Sequence, residues 1–211
     1  MAVTITGTPA AAAATTLTLP AHAAGDIILL FGFKDGATSI PTIPTAGGTV
    51  PTWVTIDAPT GANLCAGACV YALATANNHT SGTWTGATGL AGIVIRGAKT
   101  ASPIGGHAQG NGTGLNTCTA PSITVQCADG QAIIVAFGGN RVVTAWGTPA
   151  GYTVQASVAT EVTCCSKTSS TSDGSLSLAC TNVNSGSGFI AQHVEILPEA
   201  PAVTFVSYGA L

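Results

Sequence analysis

The chain has 211 residues, 46% of them hydrophobic and only 6% charged, with a formal net charge of −3. A typical globular protein carries about 25% charged residues, and the five Lys and Arg here are scattered. Grouped cations for phosphate or anionic-lipid contact are therefore missing, so direct nucleic-acid binding and polybasic membrane attachment are not expected, and no apolar stretch has the length of a spanning helix.

Short runs of β-branched and aromatic residues alternate with turns drawn from 27 Gly and 11 Pro, which predicts an all-β chain. The opening MAVTITGTPAAAAATTLTLP lacks the basic start and unbroken apolar run of a secretory leader, so no export route is expected. Strands are predicted at 2–6 and 15–19, and the alanines at 10–14 are too few for a helix. Residues 1–18 thus form either an N-terminal strand or an extended arm laid along a neighbour, ahead of a β-sandwich domain at 19–211. Further strands are predicted at 26–33, 50–56, 69–74 and 90–96. In the last of these, Leu90, Gly92, Val94 and Arg96 share one face and Ala91, Ile93 and Ile95 the other. Both faces are nearly apolar, so the strand is expected to be central or covered. Residues 99–117 are rich in Gly and polar side chains without strand period, and mark a boundary. Beyond it strands are predicted at 122–127, 132–137, 152–156, 162–166, 175–179, 189–196 and 203–208.

The two halves, about 15–99 and 118–197, share a pattern. In each, an apolar strand ending in Phe-Gly follows Gly-Asp or Asp-Gly, then come an aromatic-led Thr/Val strand, a Cys-containing strand and a closing apolar strand. This predicts an internal duplication of about five strands per half, assembled as one jelly-roll-like sandwich. The outward faces would be covered by Thr, Ser and Ala, leaving neighbouring subunits to complete the cover.

Reactive side chains form no recognisable constellation. His22, His79, His107 and His193 have no ligand spacing, and His193 is expected on the polar side of its strand. Cys65, Cys69, Cys118, Cys127, Cys164, Cys165 and Cys180 are odd in number and lack paired zinc spacing, which favours buried thiols. Asp26 and Asp129, each next to a glycine ahead of an apolar strand, are expected to fix turns through backbone N–H groups. Asp35-Gly36 and Asp173-Gly174 offer one carboxylate each, too few for calcium. A G-x-S-x-G elbow is absent, and the run at 110–114 lacks the Lys-Ser/Thr ending of a phosphate loop. The Asn78 and Asn111 acceptor patterns are taken as chance. Trp53, Trp84, Trp146, Tyr71, Tyr152 and Tyr208 are expected mainly in the core, with glycan or subunit contact as the alternative. The expected catalytic, cofactor and metal sites are none.

The segments LPAHAAGDIILLFGF (19–33), PTWVTIDAP (51–59), VYALAT (70–75), IVIRGA (93–98) and PAGYTVQASV (149–158), with the closing strand before Leu197, resemble a loose group of tailed-bacteriophage virion proteins. The resemblance implies a sandwich mounted on the phage particle, with no catalytic residues to carry over. The expected function is that of a non-enzymatic capsid decoration or cement protein on the outer capsid surface, assembled in the host cytoplasm. Its partners would be the major capsid protein and copies of itself. The alternative is a tail or fibre adhesion module that recognises a host glycan.

Overall fold

The computed structural model describes residues 3–57, 60–62, 64–113, 116–127, 129–141, 143–159, 161–169, 174–182 and 188–199. Among these there is no helix. The strands are β1 (Thr4–Ala12), β2 (Ile27–Asp35), β3 (Val54–Thr55), β4 (Thr60–Ala62), β5 (Cys65–Leu73), β6 (Gly89–Arg96), β7 (Ile104–Thr113), β8 (Thr117–Ala120), β9 (Ile133–Asn140), β10 (Val143–Trp146), β11 (Thr153–Val158), β12 (Val162–Thr168), β13 (Leu176–Asn182) and β14 (Gly188–Ile196). They form three antiparallel sheets: β1-β6-β2-β5-β3 with β4 also on β5, β11-β12-β9-β14-β7, and a small sheet β10-β13-β8.

The two large sheets face each other across one apolar layer, as a sandwich does. Ile27, Leu29, Phe31 and Phe33 of β2 and Ala91, Ile93 and Ile95 of β6 meet Ile133, Val135 and Phe137 of β9 and Ile190, Val194 and Ile196 of β14. The Phe31 and Phe137 rings stack with centroids 5.6 Å apart. Gly139 gives the Phe33 ring its room, because a Cβ there would run into it.

Each large sheet is made by one contiguous half of the chain. Set in order along the chain, β1, β2, β3, β5 and β6 correspond to β7, β9, β11, β12 and β14, and under that correspondence the two sheets have the same strand order. Jelly-roll connectivity, in which successive strands alternate between two sheets, is not seen among the described strands.

Much of each outer face is covered from within the chain, by apolar side chains rather than by the Thr, Ser and Ala expected there. On the first sheet, Leu30, Val70 and Leu90 lie under Leu17 and Trp84, with Trp53 and Ile43 packed alongside. Gly32 is required here, since a Cβ would meet the Trp84 ring at 2.5 Å. On the second sheet, Ile134, Ala136 and Ala191 pack with Cys118, Leu178 and Cys180 of the small sheet.

The boundary expected at 99–117 instead contains β7, which is ten residues long. Its glycines mark close backbone approach rather than turns: a Cβ on Gly106 would collide with the Thr124 carbonyl oxygen, and one on Gly110 with that of Thr119. Residues 15–19 and 122–127, expected as strands, are instead extended cover outside any ladder apart from a bridge at Ile123. The N-terminal segment supplies the edge strand β1, paired with β6 from Thr4↔Arg96 to Ala12↔Leu90. The strand expected at 203–208, together with Tyr208, lies outside the described residues.

Candidate functional site

Three buried polar side chains, Gln192, His193 and Glu195, enter the interior along β14. Glu195 is fully buried and accepts three backbone N–H bonds, from Gly106 (2.9 Å), Gln126 (2.8 Å) and Cys127 (2.8 Å). Two residues earlier on the same face, His193 is also fully buried, with Nε2 2.7 Å from the Tyr152 hydroxyl and Nδ1 3.0 Å from the Pro121 carbonyl oxygen. The polar face expected for His193 is thus an interior one, closed by residues 121–127 and by Tyr152. These groups fasten the covering segment to the sheet.

His22, ahead of β2, and His79, beyond β5, form a pair. The rings of His22 and His79 stack at 5.7 Å with 10° between planes. His22 Nε2 accepts the His79 backbone N–H at 3.1 Å, and its Nδ1 lies 2.7 Å from the Pro20 carbonyl oxygen. His79 Nε2 accepts from the Thr75 and Ala76 backbones at 3.0 and 3.3 Å, while Nδ1 faces the Thr49 carbonyl oxygen at 3.1 Å. These rings line a cleft of about 480 Å³ whose walls carry Thr16, Thr18, Thr80, Ser81 and Thr83. His79 also borders a cleft of about 620 Å³ lined by Val54, Tyr71, Leu73 and Thr100. Val54 and Leu73 are two of the four exposed large hydrophobic residues among those described, and they share this one surface.

The arrangement nearest to catalytic geometry is Asp57–His107. Asp57 Oδ1 lies 2.9 Å from His107 Nδ1, and its other oxygen accepts a hydrogen bond from the Gln192 amide. His107 opens onto a cleft of about 230 Å³ beside Tyr71, Ile104 and Ser102. Among the described residues, no hydroxyl or thiol hydrogen-bonds its other ring nitrogen. A base and its orienting carboxylate without a nucleophile do not make a triad.

The aspartates placed before apolar strands behave as expected. Asp26 accepts the Ala23 N–H at 2.8 Å and is gripped by Arg96 through Nε at 2.9 Å and Nη2 at 2.8 Å. Burial works to raise its pKa, but the Arg96 guanidinium and the Ala23 N–H outweigh it and hold the carboxyl below its ordinary value. Asp129 accepts the Gln131 N–H at 3.1 Å, and the Cys127 thiol and that N–H lower its pKa. Elsewhere Asp35 pairs with Arg141 at 2.9 Å. Glu161 takes the Thr88 hydroxyl at 2.7 Å, and burial, with the nearby Asp35 charge, moves its pKa up despite that bond.

All seven cysteines are free, and six are buried. Burial pushes the Cys69 and Cys164 thiols well above the ordinary range and carries Cys165 to about 11, so these sulfurs are unreactive filler. Among the described residues no three His, Cys, Asp or Glu converge to hold a metal ion.

No protein-family model, curated protein or solved structure matches this chain. Of the aromatics, Trp84 is fully buried, Tyr152 nearly so, and Trp53 meets Trp84 edge-on at 6.5 Å. Trp146 donates its indole N–H to the Val158 carbonyl oxygen at 3.1 Å. Tyr71, partly exposed, borders two of the clefts. Sequence reasoning did not single out Val54 and Leu73, because in a single sequence an exposed apolar strand residue looks like a core one.

Proposed function

We propose that this chain is a non-enzymatic structural protein of a tailed-phage virion, a capsid decoration protein that packs over contacts between major capsid subunits and between copies of itself. The observation that carries this reading is the employment of the buried ionisable groups. Glu195 and Asp26 spend their acceptor capacity on backbone N–H groups and on Arg96, and His22 spends its ring nitrogens on backbone partners. Such groups hold a shape, and His107, the base that does face a cleft, has no nucleophile hydrogen-bonded to it among the described residues. A chain with 6% charged residues also presents little like-charge repulsion to a neighbour. The exposed Val54 and Leu73, with the half-buried Tyr71 between them, supply an apolar patch suited to subunit contact. The repeated strand order of the two large sheets is read as internal duplication.

A specific observation favours a second reading. The hydroxyl-lined cleft of about 480 Å³ carries no Asp, Glu, Lys or Arg on its walls, which suits the many neutral hydroxyls of a glycan on a host surface. The chain would then be a tail or fibre adhesion module.

Cryo-electron reconstruction of a particle containing this chain separates the two. Density repeated over the shell is the expected result. Density confined to the tail or a fibre would overturn the decoration reading in favour of adhesion, and absence from the purified particle would overturn both.

A further inference from the structure

The thiols of Cys118 and Cys180 differ from the other sulfurs. Cys118 stands on β8 and Cys180 on β13, which run antiparallel with Leu178 opposite Cys118. Two residues further along β13, the Cys180 N–H donates to the Asn116 carbonyl oxygen at 2.8 Å, which carries the pairing past the end of β8. Residues two apart on a strand share a face, so Leu178 and Cys180 point the same way. Cys118 and Cys180 are therefore diagonal neighbours on the side of the small sheet that packs against the second large sheet.

Both sulfurs meet adjacent residues of β9: Cys180 accepts from the Asn140 amide at 3.4 Å, and Cys118 donates its S–H to the Gly139 carbonyl oxygen, 3.8 Å away. Cys118 is fully buried, whereas Cys180 keeps 6% of its surface exposed. The Cys118 thiol and the Asn140 amide favour ionised Cys180, whose pKa is lowered against the opposing effect of burial, while burial and the Cys180 charge push Cys118 up.

We propose that Cys118 and Cys180 are an oxidative modification site, a thiol pair that a peroxide-class oxidant converts into a disulfide stapling β8 to β13. The Cys180 thiolate attacks one peroxide oxygen; the O–O bond breaks, hydroxide leaves and is protonated to water, and Cys180 becomes a sulfenic acid. Cys118 then gives up its proton and attacks the sulfenic sulfur. The S–S bond forms, the S–O bond breaks, and the departing hydroxide takes a proton to become the second water. Two thiols and one peroxide thus yield one disulfide and two waters, with two electrons passing from sulfur to oxygen. Asn140 is the positioning residue, holding the attacking sulfur by its amide. The site does not depend on the virion reading, because it rests on the small sheet and the β9 residues packed against it.

The test uses the full-length protein, reduced, treated with hydrogen peroxide, blocked with iodoacetamide, and digested with pepsin for mass spectrometry. A Cys118–Cys180 cross-linked peptide is expected, together with a rise in thermal midpoint of roughly 5 °C or more that dithiothreitol reverses. Cys127→Ser should retain the cross-link, and Cys180→Ser should abolish both effects. Separate alkylation of Cys118 and Cys180 at peroxide doses that oxidise Cys127, or a cross-link to a different cysteine, would overturn the proposal. The peptide readout on the unmutated protein stands even where a variant fails to fold.

Discussion

Glu195 shows how much of the molecule one side chain can hold. Its two carboxylate oxygens gather N–H groups from β7 and from residues 126–127, so that cover and sheet meet at a single buried anion. Glu195→Ala would strand three amide donors and should cost about 3–5 kcal/mol, read from urea unfolding. Glu195→Gln turns one acceptor into a donor and should cost less than the alanine. Glu161 works in the opposite direction. Its pKa is raised in the fold, so the folded state binds its proton more tightly than the unfolded chain does, and its contribution is lost as pH rises through the folded value. Glu161→Gln should therefore raise the thermal midpoint by roughly 1–2 °C at pH 7.5 and leave it unchanged well below the ordinary glutamate range. Asp26, held low, has the reverse sign: its stabilisation is present above the ordinary aspartate value and fades as pH falls through the folded one.

Strands and covers obey the same apolar alternation, and this explains where the sequence could be read and where it could not. Along β6 the alternation of Leu90, Gly92 and Val94 against Ala91, Ile93 and Ile95 survives intact in the structure. Residues 15–19 alternate just as well, but there the alternation records one face lying on the sheet, not a ladder partner. Leu17 is buried while its N–H is satisfied by the Ser81 hydroxyl at 2.9 Å. The strand β7 was hidden for the opposite reason, since glycine in a single sequence reads as a turn, while the Thr119 and Thr124 carbonyls that crowd these glycines are brought there only by the fold. The acceptor roles of Asp26 and Asp129 were legible because both act on residues two or three positions away. Those of Glu195 depend on partners 68 to 89 positions distant, which no local pattern reveals. Two expected outcomes belong to this scale. Gly32→Ala should destabilise by about 1–3 kcal/mol because the methyl group collides with the Trp84 ring, and part of that loss should return in the Gly32→Ala, Trp84→Leu double variant, measured by the same unfolding curve. Deleting residues 1–18 removes β1 and Leu17 together, and should broaden or abolish the cooperative melt followed by circular dichroism, rather than merely weakening association with a neighbour.

For the molecule as a whole, the division of labour between the halves sets the order in which it can be made. The first large sheet is complete when residue 96 has been synthesised, yet its inner face, with Leu29, Phe31, Phe33 and Ile93, has nothing to lie against until β9 and β14 exist. At ordinary elongation rates that interval lasts on the order of ten seconds. During it the nascent chain carries a broad adhesive face, and crowding of ribosomes on one message would bring such faces together. The same division offers a remedy that can be measured. Two polypeptides covering 1–101 and 102–211, produced in one cell, should recover each other through that face and co-purify with a strand-rich dichroism spectrum, whereas 1–101 produced alone should collect in the insoluble fraction.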